Sequence, residues 1–219
     1  MTKKAKKPWP TKDVMNQVYE KHLWGGLGFD FYSGSGSHNS KIINPYIVEI
    51  VKFLSSFNPQ LVVCDLGCGD FNIGKHFIKH AKKYIAIDIV KPLITRNKQL
   101  FKHKHLEFHC LDISKDNIPK GDCVILRQVL QHLSNAEIEK ITKKLYAYKY
   151  IILTEHLPTG LFTPNKDIIS GQGNRTKFNS GVNLAKPPFN FKFKEEKIID
   201  KYIFEDKKSQ IVTTLYKVF

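Results

Sequence analysis

Residues Leu61 to Asp70 read LVVCDLGCGD. Val62 to Leu66 is a short, nearly continuous apolar run with a single acid, the pattern of a strand buried on both faces. Gly67-Cys68-Gly69-Asp70 follows at once. Glycines there let the backbone turn sharply and approach a ligand closely. A helix is expected next, running to about Lys82, with free N–H groups at its start that favour an anion. A buried strand feeding a glycine turn and a helix is the opening unit of a parallel α/β sheet, whose ligands lie at the carboxyl ends of the strands.

Downstream, short apolar runs alternate with helical stretches. Strands are expected at Tyr84–Ile89, Leu106–Leu111, Cys123–Leu126 and Tyr150–Thr154, and helices at Pro92–Phe101 and Asn135–Tyr146. Such alternation predicts parallel strands joined by right-handed crossovers. The end of the chain differs. Lys197–Phe204 and Gln210–Val218 are two strands around the turn Glu-Asp-Lys-Lys-Ser, a hairpin. The expected fold is therefore α/β, a Rossmann-like doubly wound sheet of seven strands, mostly parallel, closing in a C-terminal antiparallel hairpin.

Upstream, residues 1–12 carry five lysines and no acid and read as a flexible basic tail. Val14–Leu23 is expected to be helical, and Ile42–Phe57 forms a second helix stopped by Asn58-Pro59. Between them lies WGGLGFDFYSGSGSHN, Trp24 to Asn39. Its glycines and serines suggest a linker, but four aromatics (Trp24, Phe29, Phe31, Tyr32) call for an ordered loop packed on the domain. The stretch 156–193 is rich in Gly, Pro and Asn and still carries Leu161, Phe162, Ile168, Phe178 and Phe191. Long loops that can bury themselves are typically functional, and it is read as a lid or substrate loop. The organisation expected is one domain over 13–219, with 13–58 as an N-terminal cap.

The bulk composition narrows the function classes. The chain has 219 residues, 42% hydrophobic and 25% charged, as globular domains do. No apolar run is long enough to span a membrane. The basic start KKAKK runs into Pro-Trp-Pro, not into an apolar signal core, which places the protein in the cytoplasm. Cys64, Cys68, Cys110 and Cys123 form no C-x-x-C pair, so no metal site is expected. The net charge is +15, which admits a nucleic-acid partner. Beyond the tail, however, the excess is scattered and builds no obvious stripe.

Three acids stand in register with the glycine loop. Asp65 lies in the first strand, Asp88 ends the second, and Asp112 follows the third. Singly, each reads equally well as a helix cap or turn former. Together they outline a nucleoside site, with Asp88 where a ribose diol is gripped and Asp112 within reach of an adenine amine. A dinucleotide fingerprint needs a third glycine three residues after the second. That position is Asn72, which turns the reading from NAD to S-adenosylmethionine.

VCDLGCGDFNIGK, YIAIDIVKPLITRN, LEFHCLDIS and CVILRQVLQHLS, in that order, resemble the consecutive motifs of class I S-adenosylmethionine-dependent methyltransferases. The flanks WGG…SGSGS and NKDI…NRTKFNSGVNLAKPPFNF resemble a bacterial subgroup often associated with polysaccharide and small-molecule pathways. The resemblance implies that Asp65, Gly67, Cys68, Gly69 and Asp70 hold the methionine part of the cofactor. Asp88 and Ile89 would take the ribose and adenine, and Asp112 and Ile113 would frame the adenine edge. Arg127 and Gln128 would lie under the sulfonium. Gln128 replaces an acid often found there. Ser33, Gly34 and Ser37 would close over the cofactor carboxylate, with Trp24 as a wall.

Methyl transfer to oxygen needs a base near neutrality, for which His132 and His156 are the candidates beside Arg127. Their alternative is packing. Asp167 and Arg175 in the late loop are candidates for gripping the acceptor, against an alternative of solvated loop charge. The acceptor expected is a small molecule or sugar-type compound, methylated on O or N to release S-adenosylhomocysteine. The alternative is RNA or another macromolecule. The fourth strand ends Leu126-Arg127-Gln128-Val129, without the N/D-P-P-aromatic motif of many base methyltransferases on this fold.

Overall fold

A computed structural model describes residues 8–219; residues 1–7 of the expected tail lie outside the described residues. Seven strands form one sheet in the order β3-β2-β1-β4-β5-β7-β6. They are β1 Val62–Leu66, β2 Lys83–Asp88, β3 Leu106–Cys110, β4 Cys123–Arg127, β5 Tyr150–Pro158, β6 Glu195–Ile203 and β7 Ser209–Lys217. The helices are α1 Thr11–Glu20, α2 Ser40–Ser55, α3 Lys91–Leu100 and α4 Asn135–Leu145. β1 to β5 are parallel, and β7 enters antiparallel to both β5 and β6. The expected fold class holds.

β1 sits between β2 and β4, so the chain winds outward from β1 in one direction and then returns to start the other. That reversal is the switch point at which an open α/β sheet leaves a crevice above its carboxyl edge. Alternation along the strands builds a core on each face. Val63, Tyr84, Ala86, Ile125 and Ile152 pack under Tyr46, Ile50 and Leu54 of α2, with Phe71 and Phe77. Cys64, Leu66, Ile87, Leu126 and Leu153 pack against Ile138, Ile141 and Leu145 of α4 and against Leu184 and Phe191.

Three expectations are corrected. No α-helix follows the glycine loop; residues 74–82 form two short 3₁₀ turns, Gly74–His76 and Ile78–His80. The cause is Phe71. It takes a left-handed backbone, φ 63°, and its fully buried ring meets Tyr84, Phe101 and Phe108 edge-on. Gly74 lies so close that a Cβ there would stand 2.4 Å from that ring. Burying Phe71 therefore breaks the helical path at its first turn. Second, the tail is shorter than 1–12, because Thr11 and Lys12 already belong to α1. Third, β5 runs on through Glu155, His156, Leu157 and Pro158, which pair with Val212, Ile211, Gln210 and Ser209. The late loop thus begins at Thr159, and His156 is anchored on a strand.

Leu126 is fully buried at the centre of the sheet, whereas Leu161 at the start of the late loop is 98% exposed. Leu126→Ala should lower the unfolding free energy by about 2–5 kcal/mol. Leu161→Ala should stay within about 0.5 kcal/mol, both read from urea transitions.

Candidate active site

A cavity of about 320 Å³ opens above the carboxyl ends of the parallel strands. Its floor is the glycine loop, and the loop is held by β2. The Gly67 and Cys68 N–H groups both donate to the Ile87 carbonyl, at 2.8 and 2.9 Å. Gly69 N–H donates to Asp88 Oδ2 at 3.1 Å. Asp70 N–H goes to Ser33 Oγ, Phe71 N–H to the Cys68 carbonyl, and Asn72 N–H to Asp70 Oδ1. Every N–H from Gly67 to Asn72 is thus satisfied within the protein. The anion cradle expected from a helix start is absent, and the glycines serve shape. Gly67 and Gly69 hold positive φ, and a Cβ on them would strike Val129 and Ser33.

The three acids do different things. Alternation turns Asp65 to the face of Val63, away from the cavity it was expected to line. There it accepts from Tyr84 Oη at 2.8 Å, and burial pushes its pKa up to about 7. Asp88 faces the cavity while its two oxygens accept from Gly69 and Val90 N–H; burial raises its pKa. Each oxygen keeps a lone pair for a hydroxyl donor. Asp112 also lines the cavity, but Oδ1 takes the Ser114 N–H and hydroxyl and Oδ2 pairs with Lys115. Burial would raise its pKa; those donors outweigh burial and hold it low. Ile89, Leu111, Ile113, Leu133 and Met15 supply the apolar wall around these acids.

The roof comes from the Gly/Ser loop, which is ordered, as its aromatics require. Asp70 does not line the cavity. Its Oδ2 accepts from Ser33 N–H at 2.9 Å and contacts His38 Nε2 at 2.6 Å, pinning the roof to the glycine loop. Arg127 lines the cavity, yet its guanidinium donates to the Gly36 carbonyl, Ser37 Oγ and Gln128 Oε1 and lies over the Tyr46 ring. It is a tether for the roof, not a free catalytic cation. Ser33, Gly34 and Ser37 do reach the cavity, and Gln128 does so with its backbone at φ 56°. Such an outlier persists where surrounding contacts hold it, often at a functional site.

The two loops meet at Trp24. Its Nε1 donates to the Gln172 carbonyl at 3.2 Å, and Gln172 Nε2 donates back to the Leu23 carbonyl at 2.6 Å. The Trp24 ring packs on His132 at 5.1 Å. His132 contacts the Gly173 carbonyl through Nδ1 and Gln131 Nε2 through Nε2. These partners fix a neutral ring protonated on Nδ1, and burial lowers its pKa to about 4. With its lone pair already engaged, His132 is a wall and not a base.

His156 is placed differently. Its Nε2 bonds Ser209 Oγ at 2.9 Å, while Nδ1 faces the Asn174 amide at 3.4 Å, and burial lowers its pKa. Asn174 Oδ1 accepts from Thr176 N–H and Oγ1, so it is the NH₂ that faces the ring. His156 therefore directs Nε2–H at Ser209 and keeps a loosely held lone pair on Nδ1.

Two substrate candidates are corrected. Arg175 is fully buried and donates to the carbonyls of Lys166, Leu130, Gln131 and Leu133 and to Asn135 Oδ1. Asp167 accepts from Asn135 and Ile168 N–H. Neither lines the cavity; both fasten the late loop to the start of α4. Behind Arg175 the carboxyl of Glu155 is buried without a hydrogen bond, and burial lifts its pKa to about 8.

Sequence reasoning missed Thr11, Met15 and Tyr19, which line the cavity from α1, and Gln131, Glu137, Gln172 and Asn174. The spacing Thr11, Met15, Tyr19 put one helix face on offer, but nothing in it named the pocket as the partner. Glu137 caps α4 and also accepts from Thr11 and Ser170.

Residues 64–148 match the model of a methyltransferase domain family. Magnesium protoporphyrin IX methyltransferase of Synechocystis PCC 6803, a structure with bound SAM, is similar in fold with a TM-score of 0.58 and 16% identity. The match covers 97% of this chain and 100% of that one. The N-methyltransferase NodS of Bradyrhizobium japonicum WM9, with bound SAH, gives a TM-score of 0.62 at 10% identity over 94% of this chain and 99% of its own. In sequence, phosphoethanolamine N-methyltransferase of Triticum aestivum is 26% identical over 44% of this chain, and ribosomal RNA small subunit methyltransferase A of Mycoplasmopsis synoviae is 26% identical over 64%. The chain spans 20% and 50% of the lengths of these two relatives. Residues 64–148 thus carry a methyltransferase domain, and the fold is that of methyltransferase structures with bound SAM or SAH. The cavity suits that cofactor: Asp88 for a diol, an apolar slot beside it, and a glycine floor without side chains.

Arg175→Ala would strip five acceptors of their donor and leave Glu155 buried alone. It should cost about 3–5 kcal/mol of stability, without rescue by lysine, whose single ammonium cannot span the same fork of acceptors. The folded chain also keeps a proton on Glu155 that the unfolded chain releases above its ordinary value of 4.5. Stability therefore falls as pH rises from that value to about 8. Glu155→Gln should flatten that slope in thermal unfolding followed against pH.

Proposed function

We propose that the protein methylates an oxygen or nitrogen of an uncharged small molecule or sugar-type acceptor. The observation that carries this reading is the wall beyond Arg127 and Gln128. It consists of Trp24, Gln131, His132, His156, Gln172 and Asn174, amides and neutral rings without a free charge. The nearby ions are engaged elsewhere, Arg127 on the roof and Arg175 behind it. An ionic acceptor would enter without a partner and bear the cost of its desolvation. A hydroxylated neutral ring finds an aromatic face and both amide donors and acceptors.

The cofactor supplies an already activated methyl group, so the chain's contribution is positioning and exclusion of water. The Trp24–Gln172 contact closes the roof above the acceptor wall. His156 Nδ1 would accept the proton of an acceptor hydroxyl, and Ser209 Oγ would hold the Nε2–H of the resulting imidazolium. Asp88 would bind the ribose, Ile89, Leu111 and Ile113 the adenine, and Gly67–Gly69 with Ser33–Ser37 the methionine end.

S-adenosylhomocysteine at about 100 times its Kd should stabilise the protein by about 2.7 kcal/mol in thermal unfolding. Asp88→Ala should abolish that gain. A gain unchanged by Asp88→Ala would refute the cofactor site. His156→Ala should lower kcat about 10²- to 10⁴-fold and leave S-adenosylhomocysteine binding intact. Because burial holds the His156 pKa below 6.5, the wild-type rate should decline only in acid below that value.

A further inference from the structure

The scattered positive charge becomes local once the chain is folded. Between Phe71 and His109 the sequence has nine Lys or Arg against two acids, Asp88 and Glu107. Asp88 is buried under the glycine loop, as described. Glu107, which also lines the groove described next, is neutralised in place by Lys83 at 2.7 Å, and its other oxygen meets His109 Nε2 at 3.3 Å. This stretch ends at β3, the terminal strand of the sheet, which leaves one edge of the sheet open. A groove of about 680 Å³ lies there between the end of α3 and β3, lined by Lys98, Lys102, His103, Lys104 and His109.

We propose that this groove binds the phosphate backbone of a nucleic acid, whatever acceptor the active site takes. The three lysines are exposed and, unlike Lys83, form no ion pair among the described residues. They converge on one concavity with no unneutralised acid, which is the electrostatic footprint of a backbone-tracking site. The chemistry argues against a lipid surface. Leu100 is the only large apolar side chain exposed in this stretch, whereas interfacial binding needs an apolar face to insert. It also argues against base recognition. Phe101 and Phe108 border the groove but pack edge-on with Phe71 at 5.1 and 4.9 Å, and Phe108 is buried and Phe101 half-buried, so neither stands out for a base to stack on. Contact is therefore expected with phosphates alone, independent of sequence.

The test is fluorescence anisotropy of a short labelled RNA hairpin with the full chain, between about 50 and about 200 mM salt. Binding should weaken steeply with salt. K98E/K102E/K104E should lose affinity about tenfold or more and lower the salt slope by about 2–3. The neutral pair K102Q/K104Q should lose less, in the same direction, and serves should the charge-reversed chain fail to fold. K140E/K143E/K197E, on α4 and β6, is the control for net charge. The proposal is overturned by absent RNA binding, by equal losses in the two triple variants, or by capture on vesicles of anionic lipid without RNA binding. None of these outcomes bears on S-adenosylhomocysteine binding, which reports separately on the active site.

Discussion

The grip of β2 on the glycine loop is the contact on which the rest of the site depends. One carbonyl, that of Ile87, takes two successive N–H groups, and the next residue's carboxylate takes a third. The loop is thereby folded back over the switch point and held flat. Only glycine fits at 67 and 69, since Val129 closes on one and Ser33 on the other. Asp88 then faces two ways, binding the loop and presenting its free lone pairs to the cavity. The carboxylate proposed to bind the ribose is therefore the one that shapes the loop. For this reason Asp88 stays buried and yet accessible, with its pKa raised by burial in a position where hydroxyl donors would restore the charged form.

A pocket roofed by loops needs fastening that loops cannot obtain from apolar burial alone. The charged residues supply it. Asp70 pins the Gly/Ser loop to the glycine loop, Arg127 holds that same roof from below, and Arg175 sews the late loop to the start of α4. Each was a candidate for ligand chemistry, Asp70 and Arg127 from their place at the ends of strands and Arg175 from its place in the late loop. They are instead engaged by backbone and side-chain groups of the protein, and the wall beyond Arg127 and Gln128 is left with amides and neutral rings. The absence of free charge on that wall follows from the use of charge to build it.

The mostly parallel sheet, the hairpin, the crevice and the Asp88 position were legible in the sequence, because short apolar runs, glycine turns and strand-end acids are local signals, whereas the full strand order came only with the structure. The missing helix after Asp70 was not. Its sequence is compatible with a helix, and only the demand of Phe71 to meet Tyr84, Phe101 and Phe108 breaks it. Asp65 was misplaced for a simpler reason, since alternation puts it on the opposite face from Leu66, beside Tyr84. The parts played by Thr11, Met15 and Tyr19 depend on where α1 packs, to which no local pattern refers.

By itself, LVVCDLGCGD with Asp88 and Asp112 downstream determined a parallel sheet with a nucleoside crevice, and Asn72 separated S-adenosylmethionine from NAD. Folding decided what each polar side chain does. It turned the glycine loop from an anion cradle into a flat floor, Arg127 and Arg175 from candidate ligands into tethers, and His132 into a wall, and it set His156 Nδ1 against the Asn174 amide at 3.4 Å. It also gathered a dispersed lysine excess beside one sheet edge. The physical reason is the same throughout. Backbone pattern is set by neighbours along the chain, whereas the partner that satisfies a buried polar group or faces a charge comes from a distant segment, and only tertiary structure brings the two together.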